Sequence, residues 1–63
     1  MNTARGFRRK REEHGLDQNE LSQITGISKA MICYIEKGMR MPSLETVVAV
    51  VEALHCPVDE LLD

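Results

Sequence analysis

Apolar residues recur along this chain at the three-to-four-residue spacing of helices. Between residues 44 and 54 they share one helix face: Leu44, Val47, Val48, Val51 and Leu54. This segment is rich in Val and would suit a strand by composition. Its spacing and the lack of a partner strand favour a helix instead, and the pattern over the whole chain predicts five short helices.

Start and stop signals divide the first half of the chain. The first helix is expected over residues 3–14, with Gly15 as its C-terminal stop. Asp17 is expected to cap the second helix, because Glu20 follows three residues later as in a capping box. That helix ends near Gly26.

The second half of the chain divides in the same way. Ser28 caps a third helix that ends near residues 37–38, and the segment 39–42 is a loop because the residue before a proline avoids helical geometry. Ser43 caps the fourth helix. A last short helix after Pro57 carries three apolar residues, Val58, Leu61 and Leu62.

The third helix has one aliphatic side and one polar side. At about 100° per residue, the second side presents Lys29, Ala30, Cys33, Tyr34 and Lys37. A helix in the major groove of DNA needs small residues for close approach and polar groups for base edges. An ordinary amphipathic helix has the same distribution of polar and apolar residues around its axis. The tight turn at Gly26 favours DNA recognition, because it leaves the third helix protruding.

The ordered set of these segments resembles the phage repressor and Cro-like helix-turn-helix family, also called the xenobiotic-response-element type. RRKREEHGLDQNELS is similar to the family's first helix and the start of its second, TGISKAMICYIEKG to its turn and recognition helix, and PSLETVVAVVEAL with VDELL to its last two helices. The resemblance spans residues 5–62. It implies an all-α, compact five-helix lambda-repressor-like domain that binds double-stranded operator DNA as a homodimer.

The resemblance also implies roles for individual residues. The base-reading positions are Lys29, Ala30 and Tyr34, with Cys33 beside them. The phosphate-binding positions are Gln18, Ser28, Lys37, Gly38, Met39 and Arg40, and the backbone amides of residues 38–40 are expected to contribute. A buried ion pair between Arg11 and Glu36 is expected to tie the first helix to the third.

Several of these roles have alternatives. Lys29 suits a guanine edge or a phosphate, and Tyr34 suits DNA or the edge of its own helix. Ser22 and Thr25 depart from the family, which usually has Ala and an aliphatic residue there. Asp17 stands where a neutral cap is usual and should repel DNA slightly.

Some apolar residues are not required to form one small core and are candidates for a dimer interface, here called the dimer seam. Methionines can also simply fill gaps in a core. The candidate residues of the seam are Met39, Met41, Leu44, Leu61 and Leu62.

The net charge of −2 hides an asymmetry along the 63 residues. Residues 1–43 hold all eight Lys and Arg beside five acids, whereas residues 44–63 hold five acids and no Lys or Arg. Local potential rather than net charge governs DNA binding. We therefore expect one domain, residues 1–63, with its binding face in residues 5–40 and its acidic end turned away from DNA.

The remaining residues indicate no chemistry of another kind. Cys33 and Cys56 form no metal-type or redox-type cluster, and neither His belongs to a nucleophile–base arrangement in the sequence. The two lysines beside Cys33 would favour a thiolate, but a small residue on a groove-facing helix needs no sensing role. We expect no enzyme activity, cofactor, metal, membrane span or small-molecule ligand, and a cytoplasmic protein with reduced thiols.

One rival function uses the same fold. The chain would then be a protein-interaction module, such as an antitoxin or the partner of an anti-repressor, and not a DNA-binding regulator. Salt-dependent, sequence-selective binding to duplex DNA distinguishes the two.

Overall fold

The computed structural model describes residues 2–62, and in that range it contains helices and no strand. There are four α-helices followed by a 3₁₀-helix: α1 (Thr3–Glu13), α2 (Gln18–Thr25), α3 (Lys29–Glu36), α4 (Leu44–Leu54) and the 3₁₀-helix Val58–Leu61. The all-α class predicted from the sequence is confirmed. The prediction of five α-helices is wrong at its last member.

The last segment is a 3₁₀-helix because of its contacts with α1. Its amides bond three residues back, from Glu60 to the Pro57 carbonyl at 3.1 Å and from Leu62 to the Asp59 carbonyl at 3.2 Å. The backbone of Leu61 lies so close to Gly6 that a Cβ there would overlap the Leu61 carbonyl. Arg9 donates to the Glu60 carbonyl at 3.1 Å. These contacts fix the four-residue segment in a tight form that short helices often adopt.

Each α-helix begins at a polar N-cap, as local sequence signals require. In all four, the cap side chain accepts a hydrogen bond from the backbone N–H three residues later: Asn2, Asp17, Ser28 and Ser43. Glu20 returns the bond to the backbone of Asp17, so the expected capping box is present. These bonds satisfy amides that a helix start otherwise leaves without partners.

All four α-helices are followed by a residue in the left-handed region, and in three of them the same backbone hydrogen bond closes the end. The left-handed residues of those three are Gly15 (φ 68°), Gly38 (φ 76°) and His55 (φ 52°). In each case the next amide bonds to the carbonyl five residues back, at 3.1, 2.9 and 3.3 Å respectively. Glycine adopts this conformation without strain, whereas His55 carries a Cβ that is crowded there.

The turn between α2 and α3 is fixed by side chains as well as by Gly26, which has φ 77°. The Ser22 hydroxyl donates to the Ile27 carbonyl. The Thr25 hydroxyl accepts from the Ile27 amide at 3.2 Å. The two departures from the family pattern, Ser22 and Thr25, therefore hold the turn that sets the angle between the two helices.

The core is aliphatic apart from one ring and one thiol. It consists of Phe7, Leu21, Ile32, Ile35, Val50, Leu54, Cys56 and Leu61. Helix α3 packs against both α1 and α2, and α2 also contacts α4. Leu61 is fully buried within this core. Its expected place in a dimer seam is therefore corrected, because its side chain has no surface left for a second copy.

Candidate nucleic-acid interface

The outer side of α3 carries the residues expected to contact bases. Lys29 and Ala30 are exposed, Tyr34 is 42% exposed and Cys33 is half-buried. On the opposite side, Ile32 and Ile35 have no exposed surface. The helix therefore offers a lysine, a phenol and two small side chains to a partner in solvent.

The N-termini of α2 and α3 lie side by side next to this surface. A shallow depression between them is lined by Arg11, Asp17, Gln18, Asn19 and Lys29. Helix N-termini attract anions because their first amides have no partner within the helix. Ser28 at the start of α3 is exposed, and its oxygen accepts from the Met31 amide at 3.1 Å, which leaves the hydroxyl hydrogen for an acceptor. Asn19 was not singled out from the sequence.

The loop after α3 uses most of its amides within the fold. The amides of Lys37, Gly38 and Met39 donate to carbonyls of α3 at 3.0, 3.0 and 2.9 Å. This corrects the expectation that the amides of Gly38 and Met39 bind phosphates, because the bonds that end the helix use them. Arg40 is exposed and lines a shallow depression with Tyr34 and Met39. The loop can therefore contact an anion through Lys37 and Arg40.

A buried carboxylate connects α1, α2 and α3. Glu36 has no exposed side-chain surface, and it accepts from Arg11 Nε at 2.8 Å and from Arg11 Nη2 at 2.9 Å. Gln18 Nε2 donates to Glu36 Oε1 at 3.1 Å, and Arg8 Nε lies 3.8 Å from the same oxygen. Arg11 also donates to the Leu16 carbonyl at 2.8 Å.

The charge state of Glu36 follows from these contacts. Burial raises the pKa of its carboxyl, but the hydrogen bonds from Arg11 and Gln18, with the charges of Arg11 and Arg8, outweigh burial and leave the pKa below its ordinary value. The stabilisation this provides is present above the ordinary Glu value. It is lost as the pH falls through the lowered pKa of the folded state.

Two contacts of this cluster were not expected from the sequence. Gln18 was assigned to phosphate, yet one of its amide hydrogens is bonded to Glu36. Arg8 was not assigned at all, although its position three residues before Arg11 places both on neighbouring parts of one helix face. That spacing is the signal that could have identified it.

Among the described residues, the cations near the C-terminal segment are paired with carboxylates, whereas those on the outer side of α3 and in the loop after it are not. Lys10 forms ion pairs with Glu13, at 2.9 Å, and with Glu60 in the 3₁₀-helix. Within residues 2–62, by contrast, Lys29, Lys37 and Arg40 form no ion pair. The cations beside α3 are therefore available to an anionic partner.

The loop after α3 and the first half of α4 carry exposed apolar side chains, here called the apolar patch. They are Met39 (66% exposed), Met41 (76%), Leu44 (78%) and Val48 (44%). The Thr3 hydroxyl lies 3.7 Å from the Met41 sulfur, which holds that part of the patch against the start of α1. Leu62 is half-buried. Spacing placed Leu44 and Val48 on one face with the buried Leu54, yet both are exposed, whereas Val50, outside that set, is fully buried. The buried face of α4 is therefore displaced from the one that the spacing predicted.

No other kind of site is visible in residues 2–62. No group of three or more His, Cys, Asp or Glu side chains there could hold a metal ion. Cys33 and Cys56 are free thiols. None of the described helices is both long and apolar enough to cross a membrane.

Comparison with known proteins agrees with this geometry. The helix-turn-helix family matches residues 7–61. No curated protein matches the chain. The structure is similar to the crystal structure of the restriction-modification controller protein C.AhdI from Aeromonas hydrophila, with a TM-score of 0.88 and 27% sequence identity over 95% of this chain and 91% of that chain. The resemblance found in the sequence is confirmed, and the chain belongs to the Cro/C1-type helix-turn-helix family of DNA-binding regulators.

Proposed function

We propose that this protein regulates transcription by binding a specific operator duplex with α3 in the major groove. The observation that carries the proposal is the outer side of α3, where Lys29, Ala30 and Tyr34 are exposed and the exposed cations Lys37 and Arg40 follow. The similarity to C.AhdI, a restriction-modification controller protein, supports a controlling role.

The interface divides into two kinds of contact. Lys29, Ala30, Cys33 and Tyr34 face base edges, where Lys29 can donate to guanine and Ala30 can meet a thymine methyl group. The backbone phosphates are held by Ser28, Gln18 and the loop of residues 37–40, in which Lys37 and Arg40 act through their side chains and Gly38 provides the left-handed turn. Phosphate contacts set the position of the protein on the duplex, and base contacts set its sequence preference.

The protein acts as a two-fold dimer in this proposal. One recognition helix covers only a few base pairs, too few to select a genomic site. Two copies joined through the apolar patch would place their α3 helices in half-sites about 34–36 Å apart, one turn of the duplex. The patch is small, so the free dimer is weak and DNA promotes pairing.

Selection of bound sequences from a random duplex pool tests this function. The expected result is an enriched pseudo-palindromic sequence, bound with an affinity that falls steeply as salt is added. Pools selected with the Lys29→Ala variant provide the control, because removal of a base-reading side chain should relax the preference at one position of each half-site. Negligible affinity for every duplex would contradict the proposal and favour the protein-interaction module.

A further inference from the structure

The buried cluster around Glu36 contains one carboxylate and two guanidinium groups. Arg11 occupies both carboxylate oxygens, at 2.8 and 2.9 Å, and its side chain is only 12% exposed. Arg8 lies farther away, at 3.8 Å from Oε1, and its side chain is 55% exposed. Arg11 already neutralises Glu36, so the positive charge of Arg8 is in excess and faces solvent.

The position of Arg8 places this excess charge between the start of α2, which faces DNA in the proposed function, and the start of α1. On one side, Gln18 at the start of α2 donates to the same oxygen, Glu36 Oε1, at 3.1 Å. On the other side, Arg8 lines a depression with Asn2, Ala4 and Arg5 at the start of α1. The contact between Thr3 and Met41 brings that helix start to the loop after α3.

We infer that Arg8 is a further DNA-binding residue that contacts a backbone phosphate, and that Glu36 positions its guanidinium. This inference rests on the proposed function. In this proposal the strand bound at the start of α2 continues over Arg8, because Arg8 and Gln18 meet at the same oxygen, Glu36 Oε1. A guanidinium suits this task because its planar N–H groups can bind a phosphate in a bidentate manner. Its ion pair with the buried carboxylate, at 3.8 Å, favours side-chain conformations that keep the guanidinium near Glu36, which lowers the freedom that binding would remove.

A pair of matched variants isolates this contact. Arg8→Gln and Arg9→Gln each remove one positive charge from neighbouring positions of α1. The Arg9 side chain is directed elsewhere, to the Glu60 carbonyl at 3.1 Å and to Glu13 at 3.9 Å. Long-range attraction to DNA therefore changes about equally in both, and only Arg8→Gln removes the proposed phosphate contact. Circular dichroism establishes that both variants fold.

The readout is the dependence of duplex affinity on salt. Arg8→Gln should weaken binding to operator and random duplex by the same factor and reduce the slope of log K against log salt by about 0.9 for each phosphate that the protein no longer neutralises. Arg9→Gln should change the slope much less. Equal slopes for the two variants would overturn the inference while leaving the proposed function intact. Absence of salt-dependent binding by the parent protein would overturn both.

Neutral backbone linkages give a second, independent measurement. In the parent protein, a single methylphosphonate at the contacted phosphate should weaken binding. In Arg8→Lys, which keeps the charge but not the bidentate geometry, the same linkage should matter less, whereas linkages elsewhere keep their full effect. A scan in which parent and variant respond identically at every linkage would contradict a contact by Arg8.

Discussion

Arg11 of α1 holds the buried carboxylate of Glu36 at the end of α3 through two parallel N–H···O bonds of 2.8 and 2.9 Å. The pair joins two helices through residues that are 25 positions apart in sequence. It also orients the side chain of Gln18, since Gln18 donates to one of the same oxygens. This carboxylate therefore helps to fix the position of α3 relative to α1 and α2, together with the core residues Ile32 and Ile35.

Glu36→Ala should destabilise the domain severely. Removal of one partner of a buried ion pair costs roughly 3–5 kcal/mol because the other charge is left buried without compensation. That is comparable to the entire stability expected of a domain of this size, about 0.05–0.15 kcal/mol per residue. Thermal unfolding followed by circular dichroism measures the effect. Glu52→Ala on the exposed side of α4 is the control, and an equal melting temperature for both variants would show that the pair contributes little.

Lys29→Ala and Arg40→Ala should affect DNA binding in different ways, although each removes one positive charge. In the proposed interface Lys29 contacts a base edge, so its removal should cost about 1–3 kcal/mol on the selected operator and little on random duplex. In the same proposal Arg40 contacts a phosphate, so its removal should weaken both equally. Titrations of both duplexes with both variants measure the difference. An equal decrease in affinity on the two duplexes for Lys29→Ala would instead make Lys29 a phosphate-binding residue.

Leu44→Asn should weaken the binding of two protomers to a full operator. Leu44 is 78% exposed in the apolar patch, so the substitution changes the surface and leaves the core intact. A duplex with one half-site is the internal control, because its affinity should remain that of the parent. Gel-shift stoichiometry measures the effect, together with an operator lengthened by half a turn, about five base pairs. One protomer per operator, or indifference to the added half turn, would rule out the symmetric dimer.

His55→Gly should stabilise the protein. His55 ends α4 in a left-handed conformation with φ 52°, where a Cβ is crowded. Glycine removes this crowding, which is worth about 1 kcal/mol, or a rise of roughly 4–8 °C in Tm for a domain of this size. His55→Ala is the matched control, since it removes the imidazole but keeps the Cβ. If the alanine variant melts as high as the glycine variant, the backbone conformation is not the cause.

Local signals were enough to locate the helix-turn-helix. The caps Asp17, Ser28 and Ser43 were identified from the sequence because a capping bond joins residues only three positions apart. The exposed side of α3 could also be predicted, because the helical period fixes which residues share a face. The use of the amides after α3 could not, since the sequence does not show that the left-handed turn at Gly38 returns them to the helix.

Sequence by itself therefore determined the helices, their starts and the exposed side of α3, because those properties depend on neighbours within one or two turns. Tertiary structure alone decided the burial of Leu61, the 3₁₀ form of the last segment and the attachment of Gln18 and Arg8 to Glu36. Each of these depends on a contact between residues far apart in the chain. The Leu61 backbone contacts Gly6 only after α1 and the C-terminal segment have packed together. No pattern of neighbouring residues in the sequence predicts that contact.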